Sequence, residues 1–229
     1  MRKADLIFAI SMHVQGLLLK AGIDKKRIYL ISFGIDVAQI PSVNFEGKVF
    51  DACFVGAIIP GKGVLDLVKA WRMVVDLKPD AKLAIVGGGS GFYINRVKQY
   101  ITDHGLQGNI LMTGFVGEEE KYKIMKASKI FVFPSYLEGC PIVVCEALAC
   151  GLPIVAYELL AYRDFYGSNL TCVSIGNVKE LATKIIKLLS DESLRKEVAK
   201  GSYHVAKKFD WKTIAKQQIR IIHKLFQRN

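Results

Sequence analysis

The chain has 229 residues, 51% of them hydrophobic, and a formal net charge of +11. That is one large domain or one domain with part of another, with enough apolar residues for a sizeable core. No apolar run reaches the length of a membrane span, and the opening MRKADLIFAIS is too short in its apolar part to be expected to act as a signal peptide.

In chain order, residues 6–10 read as a strand, 12–21 as a helix and 28–31 as a strand, followed by a linker over 37–49. Then come strand 51–56, helix 64–77, strand 82–86, helix 92–102, strand 109–113, helix 118–126, strand 130–133, helix 141–150 and strand 153–156. A strand near 171–175 and helices over 178–189, 191–206 and 211–227 complete the chain. The strands are rich in Val, Ile and Phe and lack polar alternation, as in a parallel sheet covered on both faces. Strands alternating with helices predict an α/β fold with a doubly wound, Rossmann-like parallel sheet.

Five cysteines, at 53, 140, 145, 150 and 172, form no C-x-x-C pair. They read as small core hydrophobes in a reducing, cytoplasmic setting. Cys145 and Cys150 are five apart with no histidine at ligand spacing, so no metal site is expected. The last helix repeats a cation every four residues, at Lys212, Lys216, Arg220, Lys224 and Arg228, opposite an apolar stripe of Trp211, Ile214, Ile221, Ile222 and Leu225. Such a face is either solvated or docks on acidic headgroups at the inner side of a membrane. It lacks the interleaved aromatics of a nucleic-acid-binding surface, so a basic nucleic-acid-binding protein is the weakest alternative and no nucleic-acid partner is expected.

In doubly wound sheets ligands sit at the carboxyl ends of the strands, which directs attention to three strand-to-helix loops. GAIIPGKG (56–63) approaches a phosphate-binding loop but has Gly63 where Ser or Thr would hold magnesium. Its glycine amides, the helix start at 64 and Lys62 still suit a phosphate, although a tight turn with a surface lysine would read the same way. GGGSG (87–91) lacks the last glycine of a dinucleotide fingerprint, with Phe92 in its place, and reads equally as a close-packing turn. The third loop, PSYLEGCP (134–141), leads into a helix punctuated by Pro141 at its start and Gly151 after its end. Glu138 lies in this loop, and Glu146 lies inside the helix among Val143, Val144, Cys145, Ala147, Leu148 and Ala149. A carboxylate there needs hydrogen-bond donors, either a partner within the protein or the hydroxyls of a sugar ligand. A glycoside hydrolase pair is disfavoured, because the second acid is recessed about 7 Å along the helix axis.

Glu138 and Glu146, spaced E-x7-E ahead of ACGLPIVA (149–156), resemble the group-one family of retaining GT-B glycosyltransferases. The resemblance extends in order through ADLIFAIS (4–11), LLLKAGIDKKRIYLISFGID (17–36), FVGAIIPGKGVLDLVKAW (54–71), LAIVGGGSG (83–91), residues 109–139 and the closing FDW at 209–211. It implies that the chain is mainly the C-terminal, nucleotide-sugar donor domain of a GT-B fold, over 41–229, with residues 1–40 the remnant of an acceptor domain and a linker. By that resemblance Lys62 would grip the diphosphate and Glu138 the transferred sugar, at the reacting centre. Glu146 would take the ribose hydroxyls, and Phe115 and Val116 would lie at the base. Gly34 would face the donor across the cleft, and Gly139, Cys140, Ile142 and Val143 would line the phosphate. The implied partner is a UDP- or GDP-sugar, with a lipid-linked or polysaccharide acceptor, retention at the anomeric carbon, and no cofactor or metal.

The sequence departs from the family in having Ala57 where an arginine is usual, Phe33 where asparagine is common, and ELLAYRD (158–164) in place of a paired-glycine turn. Most of the first domain is absent, so the chain is expected to need a missing domain or a partner chain and to transfer little alone. A non-catalytic nucleotide-binding module on the same fold is the alternative.

Overall fold

The computed structural model describes residues 4–42, 47–166 and 170–227. Two parallel sheets organise it. The first unit runs from β1 (Ile7–Ala9) through α1 (Met12–Lys20) and a 3-10 turn at Lys25–Arg27 to β2 (Ile28–Leu30). Ile7 pairs with Ile28 and Ala9 with Leu30, both in parallel register. Ser11 starts α1 by accepting from the Val14 amide at 3.2 Å. Ala9, Leu18, Ile23 and Ile28 make a small apolar cluster of their own.

Chain-following residues Phe33, Ile35, Val37 and Ile40 already belong to the main core. A short helix, α2 (Gln39–Ser42), occupies part of the expected linker. The second sheet then builds as β3 (Phe50–Val55), α3 (Val64–Leu77), β4 (Leu83–Val86), α4 (Gly91–Asp103), β5 (Ile110–Gly114), α5 (Glu118–Lys126) and β6 (Ser128–Phe133). It continues as α6 (Ile142–Ala149), β7 (Ile154–Tyr157), α7 (Leu160–Tyr166), β8 (Thr171–Val173) and α8 (Val178–Ser190). The chain closes with α9 (Glu192–Ala199), α10 (Ser202–Lys207) and α11 (Trp211–Phe226).

The six strands are all parallel, in the order β5-β4-β3-β6-β7-β8. Strand order therefore reverses between β3 and β6, the place where ligands bind in such sheets. β4 and β7 are buried along their whole length, which accounts for their unbroken apolar sequences.

Three elements depart from the sequence reading. The single helix expected over 191–206 is two, because Gly201 adopts φ +87° and restarts the chain at Ser202. The apolar spacing of Leu194, Val198 and Val205 runs on across the break, which is why it reads as continuous. The segment after β7 is helical, α7, and buries Tyr162 and Tyr166 at 1% and 2% exposure. Pro141 precedes the first helical residue rather than occupying it.

The chain entering the main core is stitched to the start of α11. Ile35 donates to Phe209 O at 2.8 Å and accepts from the Trp211 amide at 3.0 Å. Phe33, one of the departures from the family pattern, stacks on Phe209 with ring centres 5.1 Å apart and meets Phe165 edge-on at 5.3 Å. Its place in the chain is explained by packing.

Candidate functional site

The loops after β3, β4 and β6 lie side by side at the carboxyl end of the sheet, and glycines let them touch. Gly63 has φ +65°, and a side chain there would meet Pro134 O at 1.9 Å. Gly87 has φ +139° and abuts Gly56 O in the same way. The Ile58 amide donates to Gly88 O at 2.7 Å, and the Tyr136 amide to Gly61 O at 2.9 Å. GGGSG is thus a close-packing turn that braces the loop carrying Lys62.

That bracing sets Lys62 against Glu138. Lys62 Nζ donates to Glu138 Oε1 at 2.6 Å, and the carboxylate side chain is only 8% exposed. The ammonium also lies 5.5 Å from the centre of the Phe133 ring. Asp66, in the first turn of α3, accepts from both Tyr136 and Tyr157 hydroxyls, the latter at 2.8 Å, and so pins the Lys62 loop to the Glu138 loop and to β7. The Asp66 bond and burial push the Tyr136 hydroxyl up to about 12.

Glu146 is buried inside α6 but is not isolated, as its sequence neighbours suggest. Its Oε1 accepts from Lys121 Nζ at 2.9 Å and from the Tyr122 hydroxyl at 3.1 Å, both on α5. This is the partner within the protein that a buried carboxylate calls for. The sequence conceals it, since GEEEKYK reads as a solvated helix start. Lys121 is 15% exposed and lies 4.4 Å from the Tyr122 ring centre. Burial, then the charge of Glu146, holds the Tyr122 hydroxyl far above its ordinary range.

In both acids the lysine takes one oxygen only. Among the described residues no partner is found for Oε2 of Glu138 or of Glu146, and neither is among the fully buried atoms left without one. Each carboxylate is therefore anchored through one oxygen and keeps the other for solvent or a ligand.

The remaining candidates fall around this pair. Phe115 is 89% exposed in the loop before α5, and Val116 packs partly against the core. Gly139 borders a cavity of about 650 Å³ that Glu138 also lines, between the start of α1 (Ser11, Met12, His13) and residues 158–161. Lys62 and Glu146 are not on that cavity; Glu138 joins it to the lysine side. Cys140 is half-buried, and burial followed by the charge of Glu138 pushes its thiol up to about 11. Ile142 is exposed and Val143 half-buried at the start of α6. The Ile142 amide donates to Cys140 O at 2.9 Å, so that donor is engaged within the protein. The space a side chain at Gly34 would need is filled by the Trp211 ring at 2.6 Å, so its smallness is accounted for by that contact. Ala57 is exposed at the mouth of the Lys62 loop, with no cation in its place. Ser11, His13, Glu158, Lys121 and Tyr122 were not singled out by the sequence. On α11, Lys212, Lys216, Arg220 and Lys224 are exposed, and Arg228 lies outside the described residues. No helix among the described residues is long and apolar enough to cross a membrane.

Comparison with known proteins agrees with this architecture. Residues 38–205 match the family described as glycosyl transferases group 1. The chain is 30% identical, over 98% of its length, to an uncharacterized glycosyltransferase of Methanocaldococcus jannaschii, of which it covers 59%. It is 27% identical, over 81% of its length, to the poly(glycerol-phosphate) alpha-glucosyltransferase of Bacillus subtilis, of which it covers 28%. Among solved structures, a glycosyltransferase from Rickettsia africae superposes with a TM-score of 0.85 at 20% identity, covering all of this chain and 65% of that one. Anabaena HepE in complex with UDP-glucose superposes with a TM-score of 0.81 at 24% identity, covering 96% and 64%. The chain spans about three fifths of the first of these curated relatives and less of the second. With the family pattern running through most of its length and the fold shared, the chain belongs to the group 1 glycosyltransferases, as the C-terminal half of a GT-B fold.

Proposed function

We propose that this chain is the donor-binding half of a retaining glycosyltransferase, taking a UDP- or GDP-sugar in the crevice between the β3 and β6 loops. The observation that carries this reading is the pair of anchored acids on the segment after β6, each with one oxygen held by lysine and one without a partner among the described residues, beside the strand-order reversal. Sugar and ribose hydroxyls are suitable donors for such oxygens, and the apolar surroundings make an unmatched carboxylate costly.

In this reading Glu138 holds the transferred sugar on its cavity side while Lys62 turns from Glu138 to the diphosphate. Transfer breaks the bond between the anomeric carbon and the diphosphate oxygen and forms one, on the same face, from that carbon to an acceptor hydroxyl oxygen, whose proton passes to the leaving diphosphate. The negative charge that develops on the leaving diphosphate is stabilised by the Lys62 ammonium and the start of α3. Glu146 accepts ribose hydroxyls, and Phe115 and Val116 sit beside the base. The UDP and UDP-glucose complexes of HepE support a nucleotide-sugar donor for this fold. The acceptor site and full activity belong to a domain ahead of residues 1–40, on the same or another polypeptide, so the chain alone binds donor and transfers little.

One observation favours a second reading, a nucleotide-binding module without transfer: exposed Ala57, where an arginine is usual, offers the diphosphate no charge. A separate surface concerns location. The exposed cations of α11, with no acidic residue on the helix and with Trp211 and Ile219 each 52% exposed, suit an anionic surface such as the inner face of a membrane.

The test is calorimetric titration of UDP and GDP into the wild type and Glu146→Ala. Binding of at least one nucleotide, weakened about tenfold or more by the substitution, is expected. No binding by the wild type would remove the donor site, and binding indifferent to Glu146→Ala would remove the ribose assignment.

A further inference from the structure

The Lys121–Glu146 pair is not explained by stability. Two charges withdrawn from water repay little of their desolvation through mutual attraction, and an apolar pair of similar size is often as stable. The geometry is nevertheless specific. Lys121 is held in place by the Tyr122 ring at 4.4 Å and by Glu118 at 3.3 Å, and it meets Glu146 on Oε1, the oxygen Tyr122 also uses. Two donors on one oxygen fix the rotation of the carboxylate and leave Oε2 without a partner among the described residues. Lys121 lies in the first turn and a half of α5, just after Phe115 and Val116, so a single segment, 115–122, carries both the exposed aromatic and the counter-ion of the buried acid.

We propose that Lys121 is a positioning residue for the nucleoside: by occupying Oε1 it fixes the carboxylate of Glu146 and aims Oε2 at a vicinal pair of ribose hydroxyls. This rests on the donor-site reading above and adds to it a residue outside the E-x7-E pair. Without the ammonium, Oε1 loses its charge-assisted bond and the carboxylate is free to rotate, which makes Oε2 a less directed acceptor. Lys121 therefore governs discrimination between ribose and deoxyribose more than overall nucleotide affinity, which the diphosphate and base also supply.

The experiment compares the nucleoside diphosphate that binds the wild type more tightly, UDP or GDP, with its 2′-deoxy and 3′-deoxy forms, by calorimetry on the wild type, Lys121→Met and Lys121→Arg. The wild type is expected to prefer the ribose form about tenfold or more. Lys121→Met is expected to bring that ratio close to one, and Lys121→Arg, which keeps the charge, to retain most of it. A packing role would weaken all three ligands together and leave the ratio unchanged, so an unchanged ratio in Lys121→Met overturns the proposal. Loss of the ratio in Lys121→Arg as well would show that the charge is not what acts, with the same consequence. Lys121→Leu, a second variant without the ammonium, serves if the methionine variant fails to fold; it too should bring the ratio close to one, and a full ratio there overturns the proposal. If the wild type binds the ribose form without any preference, the ribose assignment of Glu146 fails first, and the Lys121 proposal with it.

Discussion

Lys62 and Glu138 are 76 residues apart in the chain and 2.6 Å apart in space, joined across the line where strand order turns back between β3 and β6. Nothing in the local sequence of either loop requires the contact. It arises because Gly63 can lie against the Pro134 carbonyl, so that the loop bearing the lysine rests on the loop bearing the acid.

Lys62→Ala should weaken nucleoside diphosphate binding by about 1.5–3 kcal/mol, the range for a lost hydrogen bond to a charged group, and should flatten its dependence on salt. Calorimetry at low and moderate ionic strength measures both. Equal salt dependence in wild type and variant would show that the ammonium does not face the phosphates.

Ala57→Arg should tighten the same binding, since the exposed position at the mouth of the loop adds a cation beside Lys62. The gain should appear with UDP or GDP and be small with the bare nucleoside. An equal effect on both would move the new cation away from the diphosphate.

Gly63→Ala should destabilise the fold by more than the roughly 1–2 kcal/mol of left-handed strain, because the added methyl also strikes Pro134 O at 1.9 Å. Urea unfolding of the variant gives the figure, and Gly61→Ala, where nothing lies within 4 Å, is the control.

Alkaline pH should destabilise the fold through buried and half-buried thiols, with the exposed Tyr136 hydroxyl contributing less. Burial lifts the thiols of Cys53 and Cys150 up to about 12 and that of Cys140 up to about 11, from an ordinary 9.0. The Asp66 bond, then burial, lifts the Tyr136 hydroxyl up to about 12 from 10.0. Each folded-state value lies above the unfolded one, so the unfolded chain releases its protons first. Their stabilising effect is complete below about pH 9 and declines as pH rises through about 12. A falling urea midpoint over that window is expected, and a constant midpoint would contradict it.

Vesicles containing an anionic phospholipid should retain the chain at low salt and release it as salt rises, whereas neutral vesicles should not retain it. Exchanging Lys216, Arg220 and Lys224 for glutamine should abolish retention, as read by sedimentation. Retention unaffected by those changes would place any lipid contact elsewhere.

Most of the sheet was legible because parallel strands buried on both faces have to be written in Val, Ile and Phe, and the loops between them in Gly and Pro. Helix 64–77 agrees with α3 to the residue. What the sequence withheld are relations between distant segments. Lys121 sits in a run of charges with the look of solvent, and only its bond to Glu146, from a helix further along the chain, shows that it turns inward. Gly34 gives no sign of Trp211, which lies far along the chain and fills its missing side chain. α7 was hidden for another reason: Leu159, Tyr162 and Tyr166 carry a helical spacing over too few residues to be distinguished from a turn.

The stitch at Ile35, which exchanges backbone bonds with both Phe209 and Trp211, has a mechanical consequence. It ties residues 33–35 and the root of the last helix to the same core. On the other side Ile31 donates to Ala9 O at 2.9 Å and so belongs to the β1–β2 unit, which leaves Ser32 as the joint between the two sheets.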